Sequence, residues 1–320
     1  LKFKRFGIYL LSTIFILLGD IMKKCMIIEN PNSGKANNDE FMDILNKKLS
    51  QEFDQVVHEK TEKENDGENF SKKACYEKFD SIFVVGGDGT FNEVINGISK
   101  MDYRPKVGLL PGGTNNTYMQ LIGGSNDLKE AIDNLSFEKT KKVDIGKCND
   151  SYFSYYVCFG KLIEATTSTD SSEKEKLGGF AYVKNVLKTI PNDENVKIEI
   201  SYEDNTFECN ASLVYIMTVN KIGNLEFSND DGDLSDGELN VFIMTEEGLM
   251  SKVNAAKDML FGKVDENENV KSFTCKKLSI KNLEDKEIEL DMDGEVNGTL
   301  PCDIEILEKH IEIYLPKSKN

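Results

Sequence analysis

The sequence predicts two domains of different class: an α/β domain with a parallel sheet, followed by a β-rich domain with antiparallel strands. Three times before residue 125, a short apolar run ends in a turn of Gly, Asn, Ser or Thr and leads into a helical pattern, as parallel α/β sheets do. Beyond about residue 138, alternating strands replace this pattern. The chain of 320 residues, 39% of them hydrophobic, is long and apolar enough for two domains.

Three strand–loop–helix units make up the predicted α/β domain. Their strands and loops are 25–28 with Asn30-Pro31-Asn32-Ser33-Gly34, 82–85 with Gly86-Gly87-Asp88-Gly89-Thr90, and 107–110 with Pro111-Gly112-Gly113-Thr114-Asn115-Asn116-Thr117. Apolar residues at helical spacing follow each loop. The carboxyl ends of parallel strands form one crevice, where helix amino termini offer unpaired N–H groups to an anion. The three loops together indicate a nucleotide site.

The β-rich part contains six predicted strands and two predicted helices. The strands are 196–202, 213–219, 239–244, 288–292, 304–307 and 311–315, and the helices pass through 180–190 and 249–260. We therefore place the two domains at residues 22–137 and 138–320. We treat residues 1–21 separately.

The first 21 residues form an apolar extension. Lys2, Lys4 and Arg5 precede an apolar run over 6–18, which is short for a membrane span of about 20 residues. The length and charge order are those of a signal peptide, but no cleavage pattern of small residues follows. We therefore expect a short membrane anchor or a misassigned start upstream of Met22 rather than export.

Composition limits the function classes. The formal net charge of -17 argues against a nucleic-acid partner, which would require many Lys and Arg contacts, and restricts any membrane contact to a local, peripheral one. Seven cysteines without a Cys-x-x-Cys pair fit a reducing cytosol. Two histidines cannot form a histidine-rich metal site, so acid–base chemistry falls to carboxylates. We expect a cytoplasmic protein that contacts the inner membrane face.

Each loop of the α/β domain has a functional and a purely structural interpretation. Gly86-Gly87-Asp88-Gly89-Thr90 lets backbone approach a phosphate while Asp88 holds magnesium or orders the loop, but it could be a plain tight turn. Asn30-Pro31-Asn32-Ser33-Gly34 consists of turn formers, although its position after the first strand favours ligand contact. Gly113-Thr114-Asn115-Asn116 suits a helix amino cap as well as a phosphate or metal contact.

Two acidic segments stand in the β-rich part. Asp233-Leu234-Ser235-Asp236-Gly237-Glu238 offers oxygen ligands at close spacing for a hard cation such as magnesium, but an acidic hairpin turn explains it equally well. Asp291-Met292-Asp293-Gly294-Glu295 precedes an Asn297-Gly298 turn. A hairpin with Asp-Gly and Asn-Gly turns explains most of that segment.

Taken together, these segments resemble the diacylglycerol kinase catalytic family, bacterial lipid kinases that are similar to sphingosine and ceramide kinases. The likeness is carried, in family order, by Asn30 to Gly34, Gly86 to Glu93, Gly113 to Asn116, Asp233 with Asp236-Gly237, and Asp293-Gly294-Glu295. The resemblance implies an amino-terminal nucleotide domain like that of NAD kinases and a β-sandwich lipid-binding domain whose last strands pack back near the first. It implies ATP-dependent transfer of a phosphoryl group to a lipid hydroxyl, most simply that of diacylglycerol.

The resemblance also assigns roles by position. Glu295 would be the general base, and Asp88 would face the catalytic Mg²⁺ and the phosphates. Asp233, Asp236 and Glu238 would hold a structural Mg²⁺, Glu238 through its carbonyl. The ATP site would be lined by Asn30, Pro31, Asn32, Ser33, Gly34, Thr61, Gly87, Gly89, Thr90, Asn92, Glu93, Thr114 and Asn116.

Two departures and two rivals stay open. Thr117 replaces an acid that the family usually has, and 158–161 lacks the expected glycine-rich form. An NAD kinase shares the Gly-Gly-Asp-Gly loop and a similar two-domain plan, although the segments after residue 138 favour a lipid kinase. A nucleotide- or lipid-binding protein without catalysis is the rival from another class. The acceptor lipid and the oligomeric state, including a homodimer, are not set by any motif.

Overall fold

The computed structural model describes residues 22–34, 39–159, 195–219, 221–222, 225–226, 233–245 and 270–317. The extension at 1–21, the predicted helices around 180–190 and 249–260, and residues 160 and 161 lie outside these ranges. The chain divides into two compact units, one comprising residues 1–140 and 313–320 and the other residues 141–312. No helix within the described ranges combines the length and the apolar character needed to cross a membrane.

The first unit is built on a parallel sheet in the order β2-β1-β3-β4, which the end of β18 extends. The strands are β1 (Lys24–Glu29), β2 (Gln55–Lys60), β3 (Ser81–Gly86), β4 (Lys106–Pro111) and β18 (Cys302–Tyr314). The helices are α1 (Asp39–Leu49), α2 (Asp66–Tyr76), α3 (Asp88–Ser99), α4 (Thr117–Leu121) and α5 (Leu128–Asn134). Ile313 of β18 pairs in parallel with Val107 of β4.

Burial on both faces explains why β1, β3 and β4 are continuous apolar runs. All six residues of β3 are buried, and Phe83 is at the centre of an aromatic cluster with Phe53, Phe137 and Tyr314 at centroid distances of 5.7 to 6.0 Å. Gly108 on the neighbouring strand leaves room for the Phe83 ring, because a Cβ there would lie 2.4 Å from it. The Tyr314 hydroxyl is 2.8 Å from Ser81 Oγ.

The second unit consists of antiparallel strands in two larger sheets. The first continues from β18 in the order β18-β15-β8-β9, with β5 and β6 attached, and the second has the order β14-β13-β10-β7-β16-β17. Its strands are β5 (Thr140–Cys148), β6 (Ser151–Phe153), β7 (Tyr156–Phe159), β8 (Val196–Tyr202), β9 (Asn205–Ala211), β10 (Leu213–Met217), β11 (Lys221–Ile222), β12 (Leu225–Glu226), β13 (Leu239–Met244), β14 (Val270–Cys275), β15 (Lys277–Asn282), β16 (Glu289–Met292) and β17 (Glu295–Thr299).

Alternate residues of the two sheets form one apolar core. Ile198 and Ile200 of β8 and Ile304 of β18 meet Val214 and Ile216 of β10 in a single buried cluster. This alternation is the period-two pattern from which the strands were predicted. The fold therefore has the predicted classes, a parallel α/β unit and an antiparallel β-sandwich unit.

Helix α5 and strands β5, β6, β7, β9, β14 and β15 had no counterpart among the predicted elements. Two further differences have clear physical reasons. The strands predicted at 304–307 and 311–315 are one element, β18, because Lys309 takes a left-handed backbone (φ 49°) and redirects the strand without ending it. Strand β2 and helix α2 had no prediction, because β2 reads Gln-Val-Val-His-Glu-Lys, lies at the sheet edge and is only half buried. Its sequence lacks the apolar run of a central parallel strand.

Candidate functional site

The three predicted loops of the first unit follow β1, β3 and β4 at the same edge of the parallel sheet. After β1 the chain crosses to β2 on one side, whereas β3 pairs with β1 on the other, so the strand order reverses between β1 and β3. Such a reversal opens a crevice at the carboxyl ends of the strands, where ligands bind in open α/β sheets. Asn30 spans it, because its N–H donates to the Val85 carbonyl (2.9 Å) and its Nδ2 donates to Thr90 Oγ1 (3.1 Å).

The loop at 30–34 is both a turn and a polar tip. The Asn30 carbonyl accepts hydrogen bonds from Ser33 N (3.1 Å) and Ser33 Oγ (2.6 Å), and Asn30 Oδ1 accepts one from Asn32 N (3.0 Å). This is the asparagine-centred turn that the residue types favour. A Cβ on Gly34 would meet nothing within 4 Å. The loop therefore forms the turn that its residue types predict, and the space beside Gly34 is open.

Glycines bring the loops after β3 and β4 into backbone contact. A Cβ on Gly113 would lie 2.6 Å from Gly87 Cα, and one on Gly112 would lie 2.9 Å from Gly86 Cα. The Gly112 N–H donates to the Gly86 carbonyl at 2.8 Å. Only glycine permits so close an approach of two chains, so these residues are explained by packing. The same approach leaves backbone free of side chains where a phosphate could come near.

Asp88 and Asn116 order these two loops. Asp88 is the first residue of α3, and its Oδ1 accepts a long hydrogen bond from Tyr118 N (3.3 Å). Asn116 occupies the cap position of α4 with a left-handed backbone (φ 50°), but its amide exchanges two bonds of 2.9 Å with Gly113 N and O instead of capping the helix. Thr114 is an exposed residue of the loop that Asn116 closes.

Glu93 and Asn92 are engaged within the unit. Glu93 Oε1 accepts from Asn65 N (2.9 Å) and Oε2 from Gly67 N (2.7 Å), so this carboxylate caps the start of α2. Asn92 Oδ1 accepts from Asn96 Nδ2 (2.9 Å) along α3. Both residues stabilise helices around the loops.

A charged cluster beside the crevice escaped the sequence prediction. Glu29 ends β1 with a buried side chain, and its Oε2 contacts His58 Nε2 (2.6 Å) and Lys60 Nζ (3.3 Å) on β2. The Glu29 carbonyl accepts from the N–H of Thr61, a buried residue of the predicted ATP site (2.9 Å). The available signal was a carboxylate that directly follows a four-residue apolar run and precedes the first loop. A buried charge usually has such partners.

The acidic loop in the second unit is held by hydrogen bonds within the loop and by an ion pair. Asp233 pairs with Lys141 and accepts from Ser235 Oγ (3.1 Å), while Asp236 Oδ1 accepts from Glu238 N (2.9 Å). Burial raises the pKa of the Asp236 carboxyl, and the negative charges of its acidic neighbours raise it further. Within the part of the chain that the structure describes, no three or more His, Cys, Asp or Glu side chains are arranged to hold a metal.

Asp144 anchors that loop and was not predicted. This buried carboxylate accepts from Gly237 N and from Lys309 N, each at 2.6 Å, and its own N–H donates to the Leu234 carbonyl (2.8 Å). Gly237 and Lys309 both have left-handed backbone, at φ 77° and 49°. One side chain therefore fixes the acidic loop and the bend of β18.

Glu295 lies directly after a tight hairpin turn. Met292 of β16 opposes Glu295 of β17, so Asp293 and Gly294 alone form the turn, with φ of 52° and 97°. Two positive φ values in a two-residue loop define a type I′ turn, for which Asp-Gly is a favoured sequence. The Asp-Gly hairpin predicted from the sequence is present, but the predicted turn at Asn297-Gly298 is wrong, because both residues lie within β17 at an irregularity in its pairing with β16. Glu295, the predicted base, is exposed at the start of β17.

Asp293 ties this turn to β7 and the residues before it. Its Oδ2 accepts from Ser154 N (2.7 Å) and Ser154 Oγ (2.9 Å), and its Oδ1 from Tyr155 N (3.0 Å) and Tyr156 N (2.9 Å). Nearby, burial raises the pKa of Asp291, whose Oδ1 accepts from Gly294 N (2.9 Å). Burial and the Asp291 charge also raise the pKa of Tyr156.

Comparison with known proteins shows the family to which the chain belongs. Residues 24–148 match the diacylglycerol kinase catalytic domain, and residues 157–315 match the YegS C-terminal NAD kinase beta sandwich-like domain. A diacylglycerol kinase of Bacillus subtilis is 30% identical over 306 residues, covering 93% of this chain and 98% of its own, and one of Staphylococcus epidermidis is 32% identical over 295 residues, covering 92% and 93%. The crystal structure of a diacylglycerol kinase from Bacillus anthracis matches with a TM-score of 0.74 at 27% identity, covering 92% and 97%. The chain belongs to the diacylglycerol kinase catalytic family and is a lipid kinase.

Proposed function

We propose that this lipid kinase transfers the γ-phosphate of ATP to the hydroxyl of diacylglycerol, giving phosphatidic acid. The observation that carries the nucleotide part is the backbone contact between Gly86-Gly87 and Gly112-Gly113, in the loops after β3 and β4. The family and its diacylglycerol kinase relatives support the acceptor.

The loops of the first unit would hold the phosphates. Gly87 and Gly89 present backbone N–H groups at the amino terminus of α3, a helix of 12 residues. The dipole of a helix places a partial positive charge at that terminus, which attracts phosphate. The hydroxyl groups of Thr114, Thr61, Ser33 and Thr90 would contribute to the same site, with Thr90 Oγ1 held by Asn30 Nδ2. Asn32, Asn116, Asn92 and Glu93 act by keeping these loops and helix starts in place.

Asp88 would meet the metal that accompanies ATP. Its carboxylate is only half buried and accepts one long hydrogen bond from Tyr118 N, so it retains capacity for a hard cation. Bound Mg²⁺ would neutralise charge on the phosphates. Phosphoryl transfer depends mainly on positioning and on this neutralisation, so the protein needs little covalent chemistry of its own.

Glu295 would be the base. An exposed carboxylate on a short, well-fixed hairpin can accept the proton of the lipid hydroxyl as its oxygen attacks the γ-phosphate. The acceptor lipid also implies a peripheral contact with a membrane surface. With a net charge of -17, such contact would be local rather than spread over the protein.

The acidic loop fits a structural Mg²⁺ in its donor types. Asp233, Asp236 and the carbonyl of Glu238 are oxygen ligands of the kind that Mg²⁺ takes. Burial first, and then the charges of neighbouring acidic side chains, raise the pKa of Asp236, and a bound cation would favour its ionised form. Asp233 would then share its carboxylate between the ion and Lys141.

The test is a labelled-ATP assay over a panel of acceptors: diacylglycerol, undecaprenol, long-chain bases and NAD, with products identified by mass. We expect phosphatidic acid as the main product, with turnover lost in Glu295→Gln while that variant binds an ATP analogue nearly as tightly as the wild type. Phosphorylation of NAD but of no lipid would identify an NAD kinase. ATP binding without any product would identify a binding protein. Full activity of Glu295→Gln would refute the base.

A further inference from the structure

One side chain, that of Asp293, makes four hydrogen bonds between the hairpin that carries Glu295 and residues 154–156. We propose that Asp293 is a positioning residue for the base, acting through the segment from Ser154 to Tyr156 at the start of β7. The inference rests on the role proposed above for Glu295. The Asp293 carboxylate then contributes to the reaction rate by holding Glu295 in place, in addition to forming the hairpin turn.

The contacts concentrate on one residue. Four donors from three consecutive residues, Ser154, Tyr155 and Tyr156, meet the two oxygens of Asp293 at 2.7 to 3.0 Å. The Asp293 N–H also donates to the Tyr156 carbonyl at 3.1 Å. Hydrogen bonds to an ionised acceptor are among the strong ones in proteins. Asp293 is thereby held to the start of β7 through both side chain and backbone.

The segment that receives Asp293 is itself firmly held. Ser154 is buried, and its carbonyl accepts from Thr218 Oγ1 at 2.8 Å. Tyr156 stacks on Tyr215 with a centroid distance of 4.8 Å. Asp293 therefore attaches the hairpin to an ordered part of the sandwich.

A second carboxylate secures the residue between Asp293 and the base. Gly294 (φ 97°) is the most adaptable position of the turn, and its N–H donates to Asp291 Oδ1 at 2.9 Å. Glu295 follows immediately in the chain. With Asp293 and Gly294 both fixed, the backbone that presents Glu295 has little freedom, and small displacements of a reacting group cost large factors in rate.

Turn formation alone does not require this anchor. Hairpin β8–β9 in the same unit closes through the two exposed residues Glu203 and Asp204, with Glu203 left-handed at φ 48°. Asn suits a type I′ turn as well as Asp does, so an Asn at 293 would keep the hairpin. An Asn at 293 would lose two of the four side-chain hydrogen bonds. Its NH₂ group would replace one carboxylate oxygen and would face two donors, from which it cannot accept.

The experiment is a double-mutant cycle on the whole protein with Asp293→Asn, Glu295→Gln and both changes together. We expect Asp293→Asn to lower kcat about 10- to 100-fold with the KM for ATP within about two-fold, because only placement of the base is lost. In the Glu295→Gln background, residual labelled-ATP turnover should fall no further. Asp204→Asn, an exposed turn aspartate, is the matched control and should keep wild-type kcat.

Folding and nucleotide binding separate the outcomes. Thermal unfolding and titration with an ATP analogue show whether Asp293→Asn is folded. If it is not, Ser154→Ala, which removes one donor, replaces it in the cycle and should lower kcat about three-fold. An equal further loss in the Glu295→Gln background, or a changed KM with unchanged kcat, would overturn the inference and leave the proposed base intact. Full activity of Glu295→Gln would overturn both.

Discussion

Replacing Gly113 with Ala tests whether the contact between the two glycine loops builds the nucleotide site. The added Cβ would lie 2.6 Å from Gly87 Cα, whereas unbonded carbon atoms sit about 3.5–4.0 Å apart. The shortfall is roughly 1 Å, and both sides are backbone, so no rotamer change relieves it. We expect the loops to separate by about that distance, at a cost of about 1–3 kcal/mol in the free energy of unfolding.

The functional effect should exceed the effect on stability. A displacement of about 1 Å in a positioning group can cost ~100-fold in rate, so kcat/KM for ATP should fall by one to two orders of magnitude. Thermal unfolding measures the change in stability, and steady-state kinetics with varied ATP concentration measures kcat/KM for ATP. Gly113→Ala with wild-type stability and wild-type kcat/KM for ATP would refute the idea that this contact shapes the site.

Two further glycines make a graded control for the stability effect. A Cβ on Gly87 would lie 3.2 Å from Gly113 Cα, a clash of a few tenths of an ångström, so Gly87→Ala should be milder than Gly113→Ala. Gly34 has nothing within 4 Å, and Gly34→Ala should be neutral or stabilising by about 0.4–1 kcal/mol, because alanine has less freedom when unfolded. A different rank order of unfolding temperatures would contradict the distances.

Two other predictions concern charge. Asp144→Asn should cost about 2–4 kcal/mol of unfolding free energy, seen as a lower melting temperature, because an amide cannot accept from both Gly237 N and Lys309 N; unchanged melting would contradict the anchor role. Burial raises the pKa of Glu68, but Lys72 and Lys100 outweigh it, so the folded pKa lies below the ordinary 4.5. The two ion pairs therefore stabilise the folded state at pH values above 4.5, and this stabilisation is lost as the pH falls through the pKa of Glu68 in the folded protein. Glu68→Gln should therefore lower stability near neutral pH by up to ~1 kcal/mol and converge with the wild type in acid; a constant difference would exclude ionisation.

The sequence revealed elements whose signals are local. Strands β1, β3 and β4 have continuous apolar runs because both their faces are buried, and the Asp293-Gly294 turn has a two-residue signature. Edge strand β2 has no such run, so it and α2 were missed. The sequence around Lys309 was predicted as a gap between two strands. The alternating pattern is present on both sides of this residue, but its left-handed backbone, which bends one continuous strand, leaves no signal in the sequence.

Contacts between distant residues were beyond sequence reasoning. Asp144 bonds to residues 93 and 165 positions away, so its role depends on the assembled sheets. Asp293 was seen as a turn former, but its four donors lie 137 to 139 positions earlier. The two glycine loops were predicted one by one, whereas their mutual approach follows from the pairing of β3 with β4. The assigned site residues remain predictions for the kinetic experiments.

The pairing of β18 with β4 has a consequence for how the first unit can form during synthesis. Ile313 and Tyr314 extend the parallel part of the sheet, whose strands β1 to β4 are all made before residue 112, and Leu315 N and Lys317 N bond to the carbonyls of Lys139 and Asn134. A nascent chain that has emerged only to residue 140 lacks the ring that stacks on Phe83 at 5.7 Å. Domains usually fold in order as they leave the ribosome. Here the face of Phe83 that stacks on Tyr314 stays uncovered until residue 314, about 200 residues after β4, has been translated.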